Sequence, residues 1–487
     1  MAAHGARCAY DQGMATTSLE REVKLTADNE IPVERLGGSR LETRFFTSTY
    51  HDTPELLLAN CGITLRRRLE RGTNAWQLKL PVDDGRNEIE ALGPPAHPPA
   101  EITDLLFAVV SRYELVPVAT LQTRRSGVRF ENGSGTAEVV FDAVAVMDGQ
   151  RVDTSFTEIE VELTSGDVAV LKTAEKQLRK LGAKRSDGRT KLARALGLAA
   201  KEPRSSGTDE EQLRSFFLEQ YHAMLAADPG VRLGEDPEAV HKLRVAVRRL
   251  RAVLRTAQPF LLAEWVDGLR DELAWLGGAL GPLRDDDVML ERLHSDSLAL
   301  PDEDGEALAK VIELVEAERE SARSAALAAL GDERYIALLR TIEAATRELP
   351  LLDMKLQLDT LALKELRRLE KVLDLLDDKS SDEALHAARI RGKRARYAAE
   401  LAAPARGKRA QTLITRLKEL QDVLGDHNDG VVAESRLRKL AATARAPRAA
   451  FTAGRLAERR RALADDAREN LPRARRRLAR AGRKAWS

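Results

Sequence analysis

Charged residues alternate with apolar residues near the beginning of the sequence, where residues 19–25 read LEREVKL. In a β-strand, successive side chains point to opposite faces, so Glu20, Glu22 and Lys24 would share one face. Carboxylates can hold a hard divalent cation, and an ammonium group can neutralise a phosphate. An ordinary half-buried strand that exposes its charges to water has the same pattern. The stretch therefore predicts either a metal and phosphate site or a solvated surface strand.

Four later strands repeat this charged alternation with mixed signs. Their charged residues are Arg66 and Arg68, then Lys79, then Glu88 and Glu90, then Glu158, Glu160 and Glu162. One such strand is typical of a solvated edge, whereas five are typical of a closed barrel with a polar interior. Carboxylates would hold Mg²⁺ there, and arginine forks would clamp phosphoryl oxygens. From the residues alone, a metal–polyphosphate site and a set of solvated strands both stay open.

The elements that must position these residues are short alternating runs punctuated by turns, which indicate an antiparallel β domain at residues 18–198. We predict strands at residues 19–25, 43–50, 63–70, 76–80, 87–91, 119–130, 137–146 and 155–163, and helices at 101–113 and 167–181. Residues 1–17 are predicted to be a disordered tail. The fold class is α+β, with an all-α domain following the β domain.

The second part of the chain contains long Ala/Leu/Arg/Glu runs at helical spacing. A polar segment with Pro203 and Gly207 predicts a linker at residues 199–209. We expect an all-α domain at residues 210–475 and a basic tail at 476–487.

The composition sets limits on the class of protein. A chain of 487 residues is too long for one core, and 78 basic against 77 acidic residues leave a formal charge of +1. Cys8 and Cys61 offer no disulfide framework and no thiolate zinc site. The first seventeen residues lack a signal-like apolar run, and no uncharged segment approaches the ~20 residues of a membrane span. We therefore expect a cytoplasmic protein without a membrane partner.

Two motifs of the helical part recur at a nearly constant offset. The sequence HKLRVAVRRLR at 241–251 returns as HAARIRGKRAR at 386–396, and LGPLRDDDV at 280–288 returns as LGDHNDGVV at 424–432. The offsets of 145 and 144 residues predict two duplicated helical bundles, at about 210–345 and 355–475.

Each recurring motif places a basic stripe on one helix face, because residues at 0, +3, +7 and +10 lie within about 80° of one another. We call these the first stripe and the second stripe; they consist of His241, Arg244, Arg248 and Arg251, and of His386, Arg389, Lys393 and Arg396. Like charges at this spacing repel, so the stripes are not devices for stability. They indicate a polyanion bound through its phosphates, although a solvated basic face is the alternative.

Other ligands of the helical part are less favoured. Aromatic residues make up only 4% of the chain, which argues against nucleic acid as the partner. Three consecutive aspartates, Asp285 to Asp287, could hold a metal, but helix capping or pairing with arginines is the expected role. The sequence leaves the oligomeric state open.

The ordered motifs of the β domain resemble the CYTH, or triphosphate tunnel metalloenzyme, superfamily. Glu20-x-Glu22-x-Lys24 resembles its ExExK signature. YHDTP at 50–54, LRRR at 65–68, WQLK at 76–79, Asp142 and EIE at 158–160 follow in the family's order. The resemblance covers residues 18–198 and implies an eight-stranded tunnel that binds a triphosphate with Mg²⁺ or Mn²⁺. His51 stands where an aromatic residue is usual, and 184–191 matches the closing basic segment only loosely.

The resemblance also implies roles for individual residues. Glu20, Glu22 and Lys24 would be catalytic. The metal ligands would be Glu20, Glu22, Glu158 and Glu160, with Asp142 and Glu90 as weaker candidates. The triphosphate contacts would be Lys24, Arg66, Arg68 and Lys79, with Arg125 and Lys191 as weaker candidates. The implied activity is hydrolysis of inorganic triphosphate; cyclisation of ATP, hydrolysis of thiamine triphosphate and a non-catalytic binding role are the alternatives.

The helical part resembles the CHAD family over residues 210–475, on the strength of both recurring motifs. The resemblance implies that the two stripes bind inorganic polyphosphate, and it extends the expected location to polyphosphate granules. Asn428 stands where the first copy has Arg284, so the two halves need not contribute equally.

Overall fold

The structure is a computed structural model that describes residues 15–27, 31–199, 207–297, 300–301, 304–377, 379–444 and 446–485. Cys8, most of the predicted tail and residues 200–206 of the predicted linker lie outside the described residues. The chain divides into two compact units. One runs to residue 202 and includes 228–233, and the other comprises 203–227 and 234–487.

The first unit contains one antiparallel sheet, which confirms the predicted class. Its strands are β1 (Thr16–Glu20), β2 (Glu22–Thr26), β3 (Ser39–Arg40), β4 (Arg44–Asp52), β5 (Thr64–Glu70), β6 (Thr73–Val82), β7 (Gly85–Leu92), β8 (Val116–Asn132), β9 (Gly135–Asp148), β10 (Arg151–Gly166) and β11 (Lys184–Arg185). The main path is β1-β7-β6-β5-β4-β8-β9-β10-β2-β11, and β3 pairs with β8. The sheet has eleven described strands rather than eight, because β3 and β11 are short additions and the opening strand is divided.

The opening strand, predicted as 19–25, is two strands with a break at Arg21. Strand β1 pairs with β7, in register Glu20 with Arg86, whereas β2 pairs with β10, in register Glu22 with Glu162. The carbonyl of Arg21 accepts a hydrogen bond from the Leu163 amide at 2.9 Å. Two halves of one continuous segment therefore pair with different parts of the sheet path.

Strand β1 also begins earlier than predicted. Thr16 and Thr17 belong to it, although both fall within the stretch 1–17 predicted as a tail. Opposite its end lies Gly85, where a Cβ would come within 2.2 Å of the Glu20 carbonyl oxygen. Only glycine permits this close approach.

Short helices flank the sheet. They are α1 (Leu57–Asn60), α2 (Ala100–Thr103), α3 (Phe107–Val110), α4 (Ala169–Lys180) and α5 (Lys191–Ala195), with a 3₁₀ turn at Val33–Leu36. The helix predicted at 101–113 is thus two short helices. Helix α4 confirms the prediction at 167–181 and buries Val170, Ala174 and Leu178 against Ile159 and Val161 of β10. The apolar face of the sheet therefore lies against a helix, and its charged face is directed away from that core.

The second unit is all-helical, as predicted; residues 228–233, at the end of its first helix, are grouped with the first unit. Its helices are α6 (Asp209–Leu233), α7 (Pro237–Ala257), α8 (Ala263–Ser297), α9 (Gly305–Leu330), α10 (Glu333–Arg347), α11 (Leu358–Asp374), α12 (Asp382–Arg406), α13 (Lys408–Thr443), α14 (Pro447–Glu469) and α15 (Leu471–Ala485). Among the described residues, α12 begins 145 positions after α7, and α13 begins 145 positions after α8, which is the offset of the first recurring motif. Among the described residues, every helix is too short or too polar to cross a bilayer.

The basic tail predicted at 476–487 is wrong where the structure describes it. Helix α15 extends to Ala485, and its Leu471, Ala474 and Leu478 are buried in a core shared with α11, α12 and α13. The arginines of this segment lie on the other face, and spacing of the apolar residues at three and four positions makes the segment an amphipathic helix.

Candidate functional site

A cavity of about 580 Å³ lies against the charged face of the sheet. Strands β1, β2, β4 to β8 and β10 contribute side chains to it, together with Thr190, Lys191 and Leu192. Its basic residues are Lys24, Arg44, Arg66, Arg68, Lys79, Arg86, Arg125 and Lys191, and its acidic residues are Glu20, Glu22, Glu88, Glu90, Glu160 and Glu162. The charged faces of separate strands therefore meet around one space, as a shared lumen requires.

Three carboxylates gather in this cavity. Glu20, Glu22 and Glu162 each offer an oxygen, and these oxygens all lie within 4.8 Å of one another. The break at Arg21 places Glu20 on β1 and Glu22 on β2, and the β2–β10 register sets Glu22 beside Glu162. The sequence prediction included Glu20 and Glu22 but missed Glu162 as a ligand, although Glu162 continues the alternation of Glu158 and Glu160.

The electrostatics of this cluster favour a cation. Burial raises the pKa of Glu162 to about 7, and the neighbouring carboxylates of Glu160 and Glu20 contribute, in spite of the Arg125 guanidinium. Burial also opposes the ionisation of Glu20, but the Lys79 ammonium outweighs it and lowers the pKa of that carboxyl. The raised pKa of Glu162 shows that its negative charge is disfavoured beside the other carboxylates. A bound cation would relieve the repulsion between these carboxylates.

Lys24 lies at the centre of the acidic side of the cavity. Its Nζ is 2.9 Å from Glu160 Oε1, 3.2 Å from Glu22 and 3.7 Å from Glu158. Burial disfavours the ammonium, but the three carboxylates outweigh it and raise the pKa of Lys24 above its usual value. Lys24 is therefore fully charged at neutral pH and is oriented by carboxylates of two strands.

A second lysine, Lys191 at the first position of α5, holds the deepest carboxylates. Its Nζ lies 2.7 Å from Glu160, 2.9 Å from Asp142 and 3.2 Å from Glu158. Glu158 and Asp142 are 0% and 1% exposed. Both were predicted as metal ligands, and the structure pairs them with Lys191 instead of adding them to the Glu20–Glu22–Glu162 cluster. Their metal role stays a prediction.

Arg125 connects the deep carboxylates to the cluster. It forms a bidentate pair with Asp142 at 2.7 and 2.8 Å and contacts Glu160 at 2.7 Å and Glu162 at 3.3 Å. Burial opposes its charge, but these carboxylates raise the pKa of the guanidinium. Arg125 and Lys191, the weaker substrate candidates, thus line the same cavity as Lys24.

The opposite side of the cavity is more basic. Arg66 donates from Nε to Gln77 Oε1 at 2.7 Å, and Gln77 donates to Glu90 at 2.6 Å. Lys79 lies 2.6 Å from Glu20 and 3.3 Å from Glu88. The structure therefore brings Arg66 and Lys79 to the cavity as predicted, and Glu90 lies there as a partner of Gln77.

Arg68 completes this basic side. It pairs with Glu70 at 2.7 Å and lies 3.7 Å from the ring centroid of Phe46. Burial and the repulsion of Arg66 lower the pKa of Arg68 to about 10. An anion in the cavity would relieve this repulsion between like charges.

The YHDTP motif has a structural role. His51, at the position where an aromatic residue is usual, is buried with its ring centroid 4.8 Å from that of Trp76. Burial, helped by Arg67, lowers its pKa, so His51 is a neutral ring at pH 7. The Asp52 carboxylate accepts hydrogen bonds from the amides of Thr53, Leu58 and Ala59 at 2.7 to 2.9 Å and fixes the turn into α1.

The donor set fits a hard divalent cation. Glu20, Glu22 and Glu162 offer oxygen atoms only, and Mg²⁺ prefers oxygen ligands and retains several waters. A cluster of three carboxylates with open cavity on one side suits that preference. Within the part of the chain that the structure describes, these three residues form the carboxylate cluster that could hold a metal.

In the helical unit, the stripes are held by polar contacts to neighbouring helices. Arg244 donates to the Gly281 carbonyl and lies 3.0 Å from Asp285, and Arg389 lies 3.4 Å from Asp429. Arg248 donates to the Tyr397 hydroxyl at 3.3 Å.

The three consecutive aspartates pair with arginines, as expected. Besides the Arg244 contact, Asp286 pairs with Arg436, and Asp287 lies 2.6 Å from Arg319. Arginine pairing thus accounts for all three carboxylates.

Two stripe residues have depressed pKa values. Burial and the charges of Arg284, Arg248 and Arg244 lower the pKa of His241 to about 4. Burial and the charges of Arg248, Arg389 and Arg396 lower the pKa of Lys393 to about 7, although Asp429 opposes this. Burial is the first cause of both shifts, and the neighbouring positive charges, which an anion would compensate, add to it.

Comparisons with known proteins divide the chain at the same place. The CYTH domain family matches residues 18–196, and the CHAD domain family matches residues 215–438. Uncharacterized proteins from two Mycobacterium tuberculosis strains, CDC 1551 and H37Rv, are each 30% identical over 482 residues, which cover 91% of this chain and 91% of theirs.

Two solved structures are similar to part of this chain. The CHAD domain from the plant Ricinus communis is 28% identical, with a TM-score of 0.47, over 57% of this chain and 95% of that one. A protein from Pyrococcus horikoshii is 22% identical, with a TM-score of 0.26, over 37% of this chain and 99% of that one.

Proposed function

Because this chain belongs to the CYTH and CHAD families, we propose that its sheet cavity hydrolyses inorganic triphosphate with a divalent metal and that its helical unit binds inorganic polyphosphate. The observation that carries the first half is the cavity itself, in which a three-carboxylate cluster faces Arg66, Arg68 and Lys79. Mixed charge of this kind suits a metal–polyphosphate complex, where positioning and electrostatic stabilisation supply nearly all of the catalysis.

The basic residues would bind and orient the substrate. Arg66 and Arg68, which lie two residues apart on β5, can each present a guanidinium fork to phosphoryl oxygens. Lys24 and Lys79 are held in place by carboxylates and act as point charges. Together they would neutralise the charge that develops on the phosphoryl oxygens as the anhydride bond breaks.

The acidic residues would hold the cation. Glu20, Glu22 and Glu162 are the residues we assign to it, and Mg²⁺ or Mn²⁺ bound there would supply Lewis-acid polarisation of a phosphoryl oxygen. Because Glu20 is paired with Lys79, Glu22 with Lys24 and Glu162 with Arg125, each ligand is positioned by a basic residue before substrate arrives.

The strand pairing supports a closed tunnel as the setting of this reaction. A segment whose first half pairs with β7 and whose second half pairs with β10 would join the two ends of the sheet. Enclosure would keep bulk water from competing for the phosphate and would strengthen each ionic contact.

The helical half of the proposal rests on the two stripes. Each stripe contains several positively charged side chains close together. Burial and their mutual repulsion disfavour these charges, as the lowered pKa values of His241 and Lys393 indicate. A phosphate chain lying across them would pair these charges along its length.

The test of hydrolysis is release of phosphate from tripolyphosphate by the full chain with Mg²⁺. Lys24→Ala and Glu20→Gln are each expected to lower kcat by at least about 100-fold, the order of effect seen when one transition-state contact is removed. Lys172→Ala, an exposed lysine of α4, serves as the matched control and should leave kcat unchanged. Chelation of the metal should abolish release. Full activity in both cavity variants would refute the assignment.

A further inference from the structure

A second cavity, of about 500 Å³, lies in the helical unit and is strongly basic. The end of α7 and the facing sides of α11 and α12 form its walls. Its charged residues are Arg255, Lys364, Glu365, Arg368, Arg391 and Arg394. We call it the arginine pocket. Five basic side chains and one acidic side chain around one space predict an anionic ligand.

The arginine pocket is distinct from the second stripe, although both use α12. At 100° per residue, Arg391 and Arg394 lie roughly 120–180° around the helix from the middle of the second stripe. Burial, with repulsion from Arg255 and Arg391, lowers the pKa of Arg394, while Glu365 opposes the shift. The positively charged side chains of the pocket are therefore close enough to repel one another.

The duplication offers an internal comparison for this pocket. An offset of 145 residues aligns α6 with α11, because Leu213 and Leu358, and likewise Met224 and Leu369, are buried at matching positions. It also aligns α7 with α12. The residues that correspond to the basic ones of the pocket are Glu400 for Arg255, Glu219 for Lys364, Ala223 for Arg368, Ala246 for Arg391 and Arg249 for Arg394.

At this corresponding place the charges are internally neutralised. Arg249 lies 2.9 Å from Glu400 and 3.9 Å from Glu219. In the arginine pocket, both of these acids are replaced by bases, and two alanines are replaced by arginines. The fold therefore does not require the positive charge, since one half is built without it.

Glu365 gives the pocket its chemical preference. It is 5% exposed, and its Oε1 accepts a hydrogen bond from Arg368. Its other oxygen, Oε2, is buried and accepts no hydrogen bond from any part of the chain that the structure describes. A buried carboxylate oxygen without a hydrogen bond costs free energy. A ligand that donates a hydrogen bond to this oxygen should therefore bind more tightly than a ligand that cannot.

We propose that the arginine pocket binds a phosphate group that keeps one P–OH hydrogen, with the arginines holding its oxygens and the hydroxyl donating to Glu365 Oε2. Hydrogen phosphate and the protonated terminal group of a short polyphosphate both have this chemistry. Sulfate and the interior groups of a phosphate chain have no hydroxyl to donate near neutral pH. This site involves no residue of the sheet cavity or of either stripe. Its test therefore does not depend on whether the proposed function is correct.

Protection of Lys364 from acylation tests the proposal in the full chain. Lys364 is exposed at the pocket and should react with an amine-acylating reagent, with modification quantified by mass spectrometry. At constant ionic strength, orthophosphate or tripolyphosphate should slow its acylation at least about five-fold, while sulfate should protect much less. Lys371, on the same helix but outside the pocket, is the internal control. Protection by orthophosphate would identify the free ion as sufficient, and protection by tripolyphosphate alone would identify a chain end.

Variants assign the protection to the pocket. Arg391→Ala introduces the residue found at the corresponding position 246, and combined with Arg368→Ala it should abolish protection. Arg367→Ala, an exposed neighbour on α11, should preserve it. Protection that survives in the double variant, equal protection of Lys371, or sulfate protecting as well as phosphate would each overturn the proposal.

Discussion

At the scale of single residues, the alternating glutamates of β10 show how one charged face is divided among different partners. Glu158 is fully buried near Lys191, Glu160 contacts Lys24, Lys191 and Arg125, and Glu162 joins Glu20 and Glu22. Alternation in the sequence predicts that the three share a face. Alternation does not say how deeply each residue of the strand is buried. For that reason the sequence did not identify Glu162 as a ligand and did not predict the lysine partner of Glu158.

The first residue-scale prediction concerns metal affinity. Glu162→Gln removes one anionic oxygen donor from the cluster while keeping nearly the same size. The Mg²⁺ concentration that gives half-maximal phosphate release should rise by roughly ten-fold or more, since even the loss of a group that only supports a metal ligand typically costs 10–100-fold. Glu131→Gln, on an exposed position of β8, should leave it unchanged. A normal Mg²⁺ titration in Glu162→Gln would remove this residue from the metal site.

The second concerns the pH dependence of polyphosphate binding. The pKa of Lys393 is about 7, so this side chain is about half charged at neutral pH. A bound polyanion favours the charged form, so affinity should fall as pH rises from 6 to 8, by up to roughly ten-fold for one linked proton. Lys393→Arg, which stays charged throughout, should flatten the part of the pH profile that this residue contributes. Binding measured at fixed ionic strength checks this, and identical profiles in both proteins would contradict it.

At the scale of elements, periodicity predicted the strands and the long helices but not their interruptions. The alternation of LEREVKL continues through Arg21, so nothing in that stretch marks the change of pairing partner from β7 to β10. The partner of a strand is set by distant residues, and a single sequence does not specify it. The prediction of one helix at 101–113 was wrong for a related reason. The tertiary structure requires the chain to turn within this stretch, and this requirement overrides helix propensity.

Helix α15 was mistaken for a tail because its arginines dominate the composition. Its apolar residues nevertheless recur at helical spacing, and Leu478 is 1% exposed in the core with α11, α12 and α13. The arginine-rich composition therefore suggested a tail, whereas the spacing of the apolar residues predicts a packed helix.

The element-scale prediction tests that packing. Leu478→Ala should destabilise the helical unit by about 2–5 kcal/mol, the range for buried leucine truncations. Urea unfolding followed by the helical circular dichroism signal would show a lower transition midpoint. Arg480→Ala, on the exposed side of α15, should change it little. Equal midpoints for the wild type and Leu478→Ala would mean that α15 is dispensable.

At the scale of the whole molecule, the duplication was predictable because two motifs kept nearly one offset. The offset of 144 residues identifies Asn428 in place of Arg284, and the offset of 145 identifies the differences at the arginine pocket. Sequence comparison within one chain could therefore find the architecture, whereas the contacts of each differing residue required the structure.

The molecule-scale prediction is that hydrolysis and polyphosphate binding can be separated. Lys24→Ala should lose triphosphate hydrolysis yet retain binding to long-chain polyphosphate. Arg248→Ala combined with Arg389→Ala should weaken that binding at least about ten-fold, since each removes one phosphate contact, and should still hydrolyse tripolyphosphate. Filter binding and phosphate release from the same preparations would decide. Parallel loss of both activities in either variant would contradict separate sites.

The divided opening segment also has a consequence for the order of folding. Its Glu20, Glu22 and Lys24 are synthesised before β10, and the partner of Glu22 on that strand is Glu162, 140 positions later. At synthesis rates of about 5–20 residues per second, the segment waits roughly 7–28 seconds for that partner. Contacts so distant in sequence form slowly. The residues that we propose to be catalytic therefore wait for β10, and the three-carboxylate cluster can form only when most of the first unit has been made.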